Sequence, residues 1–172
     1  MKFEKFMTLG RDWEYGDGLR GWWLSEKLED VRAYWDGYHA WTRGGKQIYL
    51  PSSILCGLPE GFALDGGIFA GRGQFRTACN AVQHNHWNEQ CRFVAFDAPN
   101  VAGPLPHRIA EARRRYQLVI DFVPYVSIRE TNGMLLDIQQ AGGEGIVARD
   151  PSVPFYERGR VNSLLKIKGH IY

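Results

Sequence analysis

Residues 22–37 read WWLSEKLEDVRAYWDG and carry the strongest structural signal in the chain. Two pieces of this stretch, residues 22–26 (WWLSE) and 31–35 (VRAYW), have the aromatic and β-branched content that is typical of strands. The Asp36-Gly37 pair follows the second piece and suits a tight hairpin turn. The stretch therefore predicts two strands with Lys27 between them, followed by the first turn of an antiparallel meander.

Strand signals also dominate the sequence beyond this stretch. Residues 38–42 return as a strand, and a turn at Gly44-Gly45 leads into residues 47–50. Further strands are predicted at 62–64, 68–70, 92–96, 118–122, 145–148 and 163–167, and helices at 75–84, 106–116 and 132–141. Runs of strands interrupted by a few helices predict an α+β fold rather than a regular βαβ repeat.

The composition is that of an ordinary globular domain. The chain has 172 residues, of which 44 % are hydrophobic and 23 % charged, which excludes a disordered tail, a collagen-like rod and a coiled coil. Its net charge of +2 is weak support for a polyanion partner. Three cysteines form no disulfide framework, which predicts a reducing compartment. With neither a signal-peptide pattern nor an apolar run near the ~20 residues of a membrane span, we expect a cytoplasmic protein without a membrane partner.

Lys27 is the first residue with chemical potential. It stands beside Glu26, Glu29, Asp30 and Arg32. An amine attacks an electrophile only when it is neutral, so a nucleophilic lysine needs a pKa lowered by desolvation or by a cationic neighbour. Taken alone, a lysine among acids is more typical of a solvated salt-bridge cluster.

Four later pieces are also of interest. Asp65-Gly66-Gly67 predicts a turn that enters a strand. Phe96, at a strand end, suits either a purine face or the core. Glu144, between two glycines, suits a metal or phosphate site or a simple turn. Lys166 and Lys168 alternate onto one face of a strand, as a phosphate clamp or as a solvated edge.

In their order and spacing, these pieces resemble the motif set of the covalent nucleotidyltransferases, which comprise DNA ligases, RNA ligases and mRNA capping enzymes. Lys27 and Arg32 match the first motif, Lys-x-Asp-Gly-x-Arg, and Arg43 resembles the arginine that follows it. The other matches are Asp65-Gly66, Phe96-Asp97, Glu144-Gly145 and Lys166-Ile167-Lys168. The sequence around these motifs is most similar to the small bacterial and phage ATP-dependent DNA ligases, and GRGQF and AFDAP argue against an RNA ligase or a capping enzyme.

The resemblance implies an α+β nucleotidyltransferase domain with antiparallel sheets around an ATP cleft. It implies that Lys27 attacks the α-phosphate of ATP and forms a lysine-AMP intermediate. The adenylate would pass to the 5′-phosphate of nicked double-stranded DNA, and the 3′-hydroxyl would then displace AMP. It also implies a nucleotide-binding role for Glu26, Arg32, Arg43, Phe96, Lys166 and Lys168, and a Mg²⁺ role for Glu144. Among these, Phe96 would stack on adenine.

Three motif positions depart from the family pattern. Glu29 stands in place of Asp, Asp30 in place of Gly, and Gly67 in place of a Glu that usually contacts the nucleotide. Asp30 adds a negative charge beside the nucleophile, where the triphosphate would arrive. Two functions therefore stay open: a working or weakened ligase, or an impaired pseudo-ligase that binds nucleotide or nicked DNA without efficient sealing.

The sequence reaches its last residue shortly after the fifth motif, where these ligases normally continue into an OB-fold domain. We therefore expect residues 1–172 to form a single nucleotidyltransferase domain without an OB-fold domain, which another chain could supply.

Two further features need weighing. Cys79, His84, His86 and Cys91 could in principle bind zinc, but their spacing matches no common zinc module, so we favour a loop with buried thiols. The Arg113-Arg114-Arg115 run is more typical of a solvated helix face than of a DNA contact, although it could add salt-sensitive phosphate affinity.

Overall fold

The computed structural model describes residues 5–172. The strands are β1 (Thr8–Asp12), β2 (Trp23–Lys27), β3 (Val31–Trp35), β4 (Ala40–Trp41), β5 (Gln47–Ile48), β6 (Leu64–Phe69), β7 (Arg92–Asp97), β8 (Val123–Pro124), β9 (Gly145–Arg149) and β10 (Gly159–Ile167). The helices are α1 (Ser52–Leu55), α2 (Phe75–His84), α3 (Leu105–Arg115) and α4 (Ile128–Gln140). This mixed content confirms the predicted α+β class.

The strands form two five-stranded sheets. The first sheet has the order β1-β10-β9-β2-β8, and the second has the order β5-β4-β3-β6-β7. All pairings are antiparallel except that of β1 with β10. Because β2 belongs to the first sheet and β3 to the second, residues 28–30 carry the chain from one sheet to the other directly after Lys27.

The predicted meander is confirmed in the second sheet. Strand β3 has the predicted bounds, and it pairs with β4 through a turn at residues 36–39. The Asp36 carboxylate accepts hydrogen bonds from the backbone N–H groups of Tyr38 and His39, at 2.8 and 2.7 Å. Gly37 has a φ of 102°, a left-handed conformation that glycine adopts without strain.

The turn predicted at Asp65-Gly66-Gly67 is wrong, because β6 runs through these residues without a break and merges the two short strands that the sequence suggested. The glycines allow close neighbours instead. A Cβ on Gly66 would lie 2.3 Å from the carbonyl oxygen of Val94 on β7, and a Cβ on Gly67 would lie 1.9 Å from the Asp30 carboxylate. Glycine inside a strand marks such close approaches.

One other predicted strand is wrong, and one observed strand was not predicted. Residues 118–122 are not a buried strand: they form an isolated bridge, Ala95 to Val119, and the following strand β8 has only two residues, both exposed. Strand β1 was not predicted. It pairs with β10 and carries Thr8 and Asp12 to the edge of the first sheet.

Helix α2 has the predicted bounds and α3 starts one residue early, whereas α4 begins four residues before its predicted start. The cause is an N-cap at Ser127, whose side chain accepts a hydrogen bond from the backbone N–H of Glu130 at 3.1 Å. A serine followed three residues later by glutamate is a recognised start signal. The predicted arginine run lies at the end of α3, where Arg113 and Arg114 are exposed, as expected.

Each sheet has its own hydrophobic core. The second sheet packs against α2 and α3 around Ile68, Phe93 and Ala112, and the first sheet packs against α4 around Leu135 and Ile146. Helices therefore cover the outer faces, and the functional residues lie in the cleft between the sheets. Among residues 5–172, no helix is long and apolar enough to cross a membrane.

Candidate functional site

A cleft of about 910 Å³ lies between the two sheets and is lined by strands of both. Seven of the eight predicted site residues line it: Glu26, Lys27, Arg32, Arg43, Phe96, Lys166 and Lys168. The eighth, Glu144, contacts two of these seven. The structure thus brings together the residues that the motifs named, although they are spread over more than 140 positions of the sequence.

Lys27 lines the cleft and is positioned by the pairing of β2 with the neighbouring strand β9. In the β2–β9 ladder Lys27 lies opposite Gly145, which places Glu144 beside it. The Lys27 Nζ lies 2.7 Å from Glu144 Oε2, and the Lys168 Nζ lies 2.9 Å from Glu144 Oε1. One carboxylate therefore bridges the two lysines.

The charges of this group support one another. Burial alone would raise the pKa of Glu144, but the hydrogen bonds from Lys27 and Lys168 outweigh it and lower that pKa below its ordinary value. The hydrogen bond to Glu144 in turn raises the pKa of Lys168. Glu144 is therefore ionised at neutral pH and Lys168 is cationic. All three side chains remain partly open to solvent, so a ligand in the cleft can reach them.

Arg32 is held firmly in the wall of the cleft. Its Nε and Nη2 donate to the two oxygens of Asp65 at 2.8 and 2.6 Å, and Nη2 also donates to the carbonyl of Thr8 at 2.9 Å. The hydroxyl of Tyr156 donates to the same carboxylate at 2.6 Å. The guanidinium lies 5.9 Å from the centroid of the Phe96 ring. Arg32 is thus tied to β6 and supports the aromatic residue predicted to stack on adenine.

Asp97, next to Phe96, ties the two sheets together. Its buried carboxylate accepts hydrogen bonds from Arg108 of α3, at 2.7 and 3.1 Å, and from Arg149 of β9. Arg149 also donates to the Phe96 carbonyl at 3.1 Å. Burial alone would raise the pKa of Asp97, but the two arginines outweigh it and hold that pKa below its ordinary value. Neither arginine partner was predicted from the sequence.

The other predicted residues lie around the cleft with partners of their own. Glu26 forms a two-bond ion pair with Arg72, with both distances at 2.9 Å. The Lys166 Nζ lies 3.3 Å from Oδ1 of Asp12 on β1. Arg43 occupies the turn between β4 and β5. The sequence reasoning missed Arg72 and Asp12, although Arg72 lies in the quoted GRGQF segment.

Asp30 lies in the cleft without a hydrogen-bond partner for one of its oxygens. Its Oδ2 is buried and unpaired, in contact with β6 at Gly67. Burial raises the pKa of this carboxyl to about 7, although the charges of Arg32 and Lys27 act to lower it. The sequence predicts that Asp30 directs its negative charge at an incoming triphosphate. Because Oδ2 is buried against β6, only the other carboxylate oxygen can face the cleft.

The part of the chain that the structure describes contains no group of three or more His, Cys, Asp or Glu side chains able to hold a metal ion. The zinc alternative for Cys79, His84, His86 and Cys91 is therefore wrong. Cys79 and His84 lie on α2 and line the cleft, while Cys91 is buried and contacts Asn88. Of the four residues, only His86 and Cys91 lie in the loop that we favoured.

The candidate site is therefore a cleft between two sheets, with a lysine at the end of a strand and a carboxylate and two further lysines around it. The sequence and fold of this chain are similar to those of DNA ligases. No protein-family model matches the chain.

The chain is similar to a DNA ligase of Haemophilus influenzae, with 32 % identity over 160 residues that cover 87 % of this chain and 59 % of that ligase. It therefore spans less than two thirds of this curated relative. Among solved structures, a Lig E DNA ligase matches with a TM-score of 0.84 at 25 % identity, over 95 % of this chain and 68 % of that one. A Chlorella virus DNA ligase-adenylate matches in fold, with a TM-score of 0.75 at 22 % identity, over 94 % and 66 % of the two chains.

Proposed function

We propose that this chain is the adenylyltransferase domain of an ATP-dependent DNA ligase and that it forms a lysine-AMP intermediate on Lys27. The observation that carries the proposal is the position of the Lys27 Nζ in a cleft between two sheets, 2.7 Å from the carboxylate of Glu144. The neutral Nζ attacks the α-phosphorus of ATP. A P–N bond forms, the bond between the α-phosphorus and the bridging oxygen breaks, pyrophosphate leaves and the nitrogen loses a proton.

The surrounding cations fit the charge that this reaction develops. Phosphoryl transfer depends on positioning and charge stabilisation more than on covalent assistance. Lys166 and Lys168 line the same cleft as Lys27 and would stabilise the triphosphate and the departing pyrophosphate. Phe96 would stack on adenine, with its ring supported by Arg32. Arg43, in its turn at the cleft, would contact a phosphate of the nucleotide or of the nick, and Glu26 would take part in nucleotide binding through its place beside Lys27.

The donor set at Glu144 fits Mg²⁺. This ion is commonly held by one or two carboxylates together with substrate phosphates, which suits a single carboxylate in a cleft lined by lysines. When bound, Mg²⁺ supplies charge neutralisation for the triphosphate. Glu144 would hold the ion, and Lys168 would keep its phosphate partner close. Glu144 also orients Lys27 before the nucleotide arrives.

The later steps would use nicked double-stranded DNA. The adenylate on Lys27 would pass to the 5′-phosphate at the nick, and the 3′-hydroxyl would displace AMP to seal the strand. We further propose that these 172 residues act as a nucleotidyltransferase domain and that an OB-fold domain assists it in the DNA steps. The three free cysteines are typical of a reducing compartment, which suits a cytoplasmic location.

Intact-mass spectrometry after incubation with ATP and Mg²⁺ tests the proposal. We expect one added AMP on the protein and none on Lys27→Ala. Lys5→Ala is the matched control, because Lys5 is exposed and lies outside the cleft, and this variant should keep the adduct. An adduct that persists on Lys27→Ala would show that the nucleophile is another residue.

The impaired pseudo-ligase remains the second candidate, and one observation favours it. The Asp30 carboxylate has a buried unpaired oxygen and interacts with the charge of Lys27, so it places an acidic group beside the point that the triphosphate must approach. Under this alternative the wild-type protein binds ATP or nicked DNA but gains no AMP in the same experiment.

A further inference from the structure

Tyr156 is a buried residue of the loop between β9 and β10, and it belongs to none of the matched motifs. Its hydroxyl donates a hydrogen bond to Asp65 Oδ2 at 2.6 Å and accepts one from the backbone N–H of Thr8 at 2.8 Å. Thr8 lies on β1 of the first sheet, and Asp65 lies on β6 of the second sheet. One hydroxyl group therefore joins the two sheets behind the wall of the cleft.

The same carboxylate holds Arg32, so that four groups form a closed ring of hydrogen bonds. Arg32 donates to both oxygens of Asp65 and to the carbonyl of Thr8. Tyr156 completes the ring, because its hydroxyl contacts Asp65 on one side and Thr8 on the other. Burial and the neighbouring Asp65 carboxylate raise the pKa of Tyr156 well above its ordinary value, so the hydroxyl keeps the proton that it donates.

Phe96 is the cleft residue that this ring of hydrogen bonds supports. The Arg32 guanidinium lies over the Phe96 ring, 5.9 Å from its centroid. Two of the three guanidinium nitrogens already donate to Asp65 or Thr8, so Arg32 is held in place against the ring. Phe96 itself is only half-buried and lines the cleft. Its orientation towards a ligand in the cleft therefore depends on the groups that hold Arg32.

The ring of Tyr156 provides a second connection to the same region. The Arg108 guanidinium lies over the Tyr156 ring at 5.9 Å, and Arg108 pairs with Asp97, the residue that follows Phe96. Phenylalanine at position 156 would keep this ring contact and lose only the two hydrogen bonds of the hydroxyl. The substitution Tyr156→Phe therefore isolates the connection through Arg32.

We propose that Tyr156 is a positioning residue for adenine binding, because its hydroxyl fixes Arg32 and thereby the Phe96 ring on which the base stacks. The inference rests on the proposed function, since it takes the adenine of ATP to stack on Phe96. It extends the site to a loop that contributes no motif residue. A group that acts in this way affects binding of the base and leaves the phosphate contacts of the cleft lysines unchanged.

The test measures the binding of two probes, ATP and inorganic tripolyphosphate, by titration calorimetry. Every protein compared carries Lys27→Ala, so that no lysine-AMP forms and each Kd reports binding alone. Adding Tyr156→Phe should raise the Kd for ATP by about tenfold, because a displaced support misplaces the stacking ring. It should leave the Kd for tripolyphosphate unchanged. A general loosening of the cleft would raise both Kd values by the same factor and would overturn the proposal.

Tyr116→Phe is the matched control. Tyr116 is also buried, and its hydroxyl donates to the carbonyl of Phe93 at 2.7 Å, in the core of the second sheet. Both substitutions remove a buried hydrogen bond, so both should lower Tm by a few degrees. Tyr116→Phe should nevertheless keep the Kd for both probes. If it weakened ATP binding as much as Tyr156→Phe does, the effect would be a general loss of stability and the inference would fail.

A double variant tests whether Tyr156 acts through Arg32. Arg32→Lys keeps the positive charge but loses the forked pair of hydrogen bonds to Asp65. Adding Tyr156→Phe to Arg32→Lys should raise the Kd for ATP no further, since the connection is already broken. Additive effects would mean that Tyr156 acts by another route. If Arg32→Lys does not fold, the comparison of Tyr156→Phe with Tyr116→Phe still decides the question.

The outcomes distinguish this inference from the adenylation proposal. If Tyr156→Phe leaves the Kd for ATP unchanged, the positioning role fails, whether or not the chain with Lys27 intact forms an adenylate. If that chain forms no adenylate but Tyr156→Phe still weakens ATP binding selectively, the adenylation proposal fails while the positioning role stands. If the chain does not bind ATP at all, both fail.

Discussion

Two groups of ion pairs border the cleft, and they differ in burial. The inner pairs are those of Asp97 with Arg108 and Arg149, and their side chains are at most 10 % exposed. The outer pairs are those of Glu144 with Lys27 and Lys168, where the carboxylate is 24 % exposed and Lys168 is 52 % exposed. Each group contains one ion pair between residues more than 50 positions apart, Arg149 with Asp97 and Lys27 with Glu144.

The difference in burial separates structural from functional charges. Removing one partner of a buried pair leaves an uncompensated charge in a low-dielectric interior, whereas a solvent-open pair contributes little to stability. The inner pairs therefore hold the sheets together and fix Phe96. The outer pairs can exchange partners with a phosphate or a metal ion at small free-energy cost, as the proposed nucleotide site requires.

The largest expected effect is on the inner pairs. We expect Asp97→Ala to lower the free energy of unfolding by about 3–5 kcal/mol, because it leaves Arg108 and Arg149 buried without a counter-charge. Urea unfolding measures this loss. Asp121→Ala removes an exposed partner of Arg113 and should change stability by less than about 0.5 kcal/mol. Equal effects of the two variants would contradict the distinction between buried and open pairs.

Asp30 sharpens the comparison, because it is half-buried and its buried Oδ2 has no hydrogen-bond partner. Its pKa is raised from the ordinary 3.8 to about 7, so the folded chain binds the proton more tightly than the unfolded chain does. Stability therefore falls as pH rises from about 4 to about 7, and the full penalty is present above that range. Relative to the wild type, Asp30→Asn should gain about 2–4 kcal/mol between pH 4 and pH 8.

Urea unfolding across this pH range checks the prediction, and Asp36→Asn gives a control of opposite sign. The hydrogen bonds that Asp36 accepts from His39, Tyr38 and Trp41 outweigh its burial and lower its pKa, so it stabilises the fold above its ordinary range and loses that effect on acidification. Asp36→Asn should thus be most destabilised at neutral pH.

The charged groups that face Asp30 are Arg32, Lys27 and Asp65. A flat difference between Asp30→Asn and the wild type would mean that this carboxyl titrates normally.

The sequence predicted the elements whose signals are local. Strand β3 and helix α2 have the predicted bounds, because alternation and composition within each segment are sufficient. The turn prediction at Asp65-Gly66-Gly67 is wrong because glycine is typical both of turns and of close approaches inside a strand. The residues that approach these glycines, Val94 and Asp30, lie on other segments of the chain. Residues 118–122 have strand composition but form only one isolated bridge, between Val119 and Ala95.

The site shows the same limit. Motif order identified seven of the residues that line the cleft, together with Glu144. The partners that hold these side chains were not found, because no local pattern encodes an ion pair between residues far apart in sequence. Arg72 and Glu26 are 46 positions apart, and Arg149 and Asp97 are 52 apart. The contact between Asp30 and Gly67 likewise depends on the pairing of β3 with β6, which no local sequence pattern indicates.

The smallest expected change in stability is that of the outer pairs. Glu144→Gln should alter the free energy of unfolding by less than about 1 kcal/mol, because its lysine partners remain solvated. The same change should reduce adenylate formation at low Mg²⁺ concentration by about tenfold or more, with partial recovery as Mg²⁺ is raised, since it removes the proposed carboxylate ligand. Urea unfolding and intact-mass spectrometry measure the two effects on the same variant.

Glu111→Gln is the matched control for Glu144→Gln, because Glu111 also pairs with a basic side chain, Arg114, but lies on α3 outside the cleft. Its effect on stability should be equally small, and its adenylate yield should be that of the wild type at every Mg²⁺ concentration. If Glu144→Gln instead unfolds several kcal/mol more easily than Glu111→Gln, the outer pairs are structural. The difference in burial between the inner and outer pairs would then not distinguish structural from functional charges.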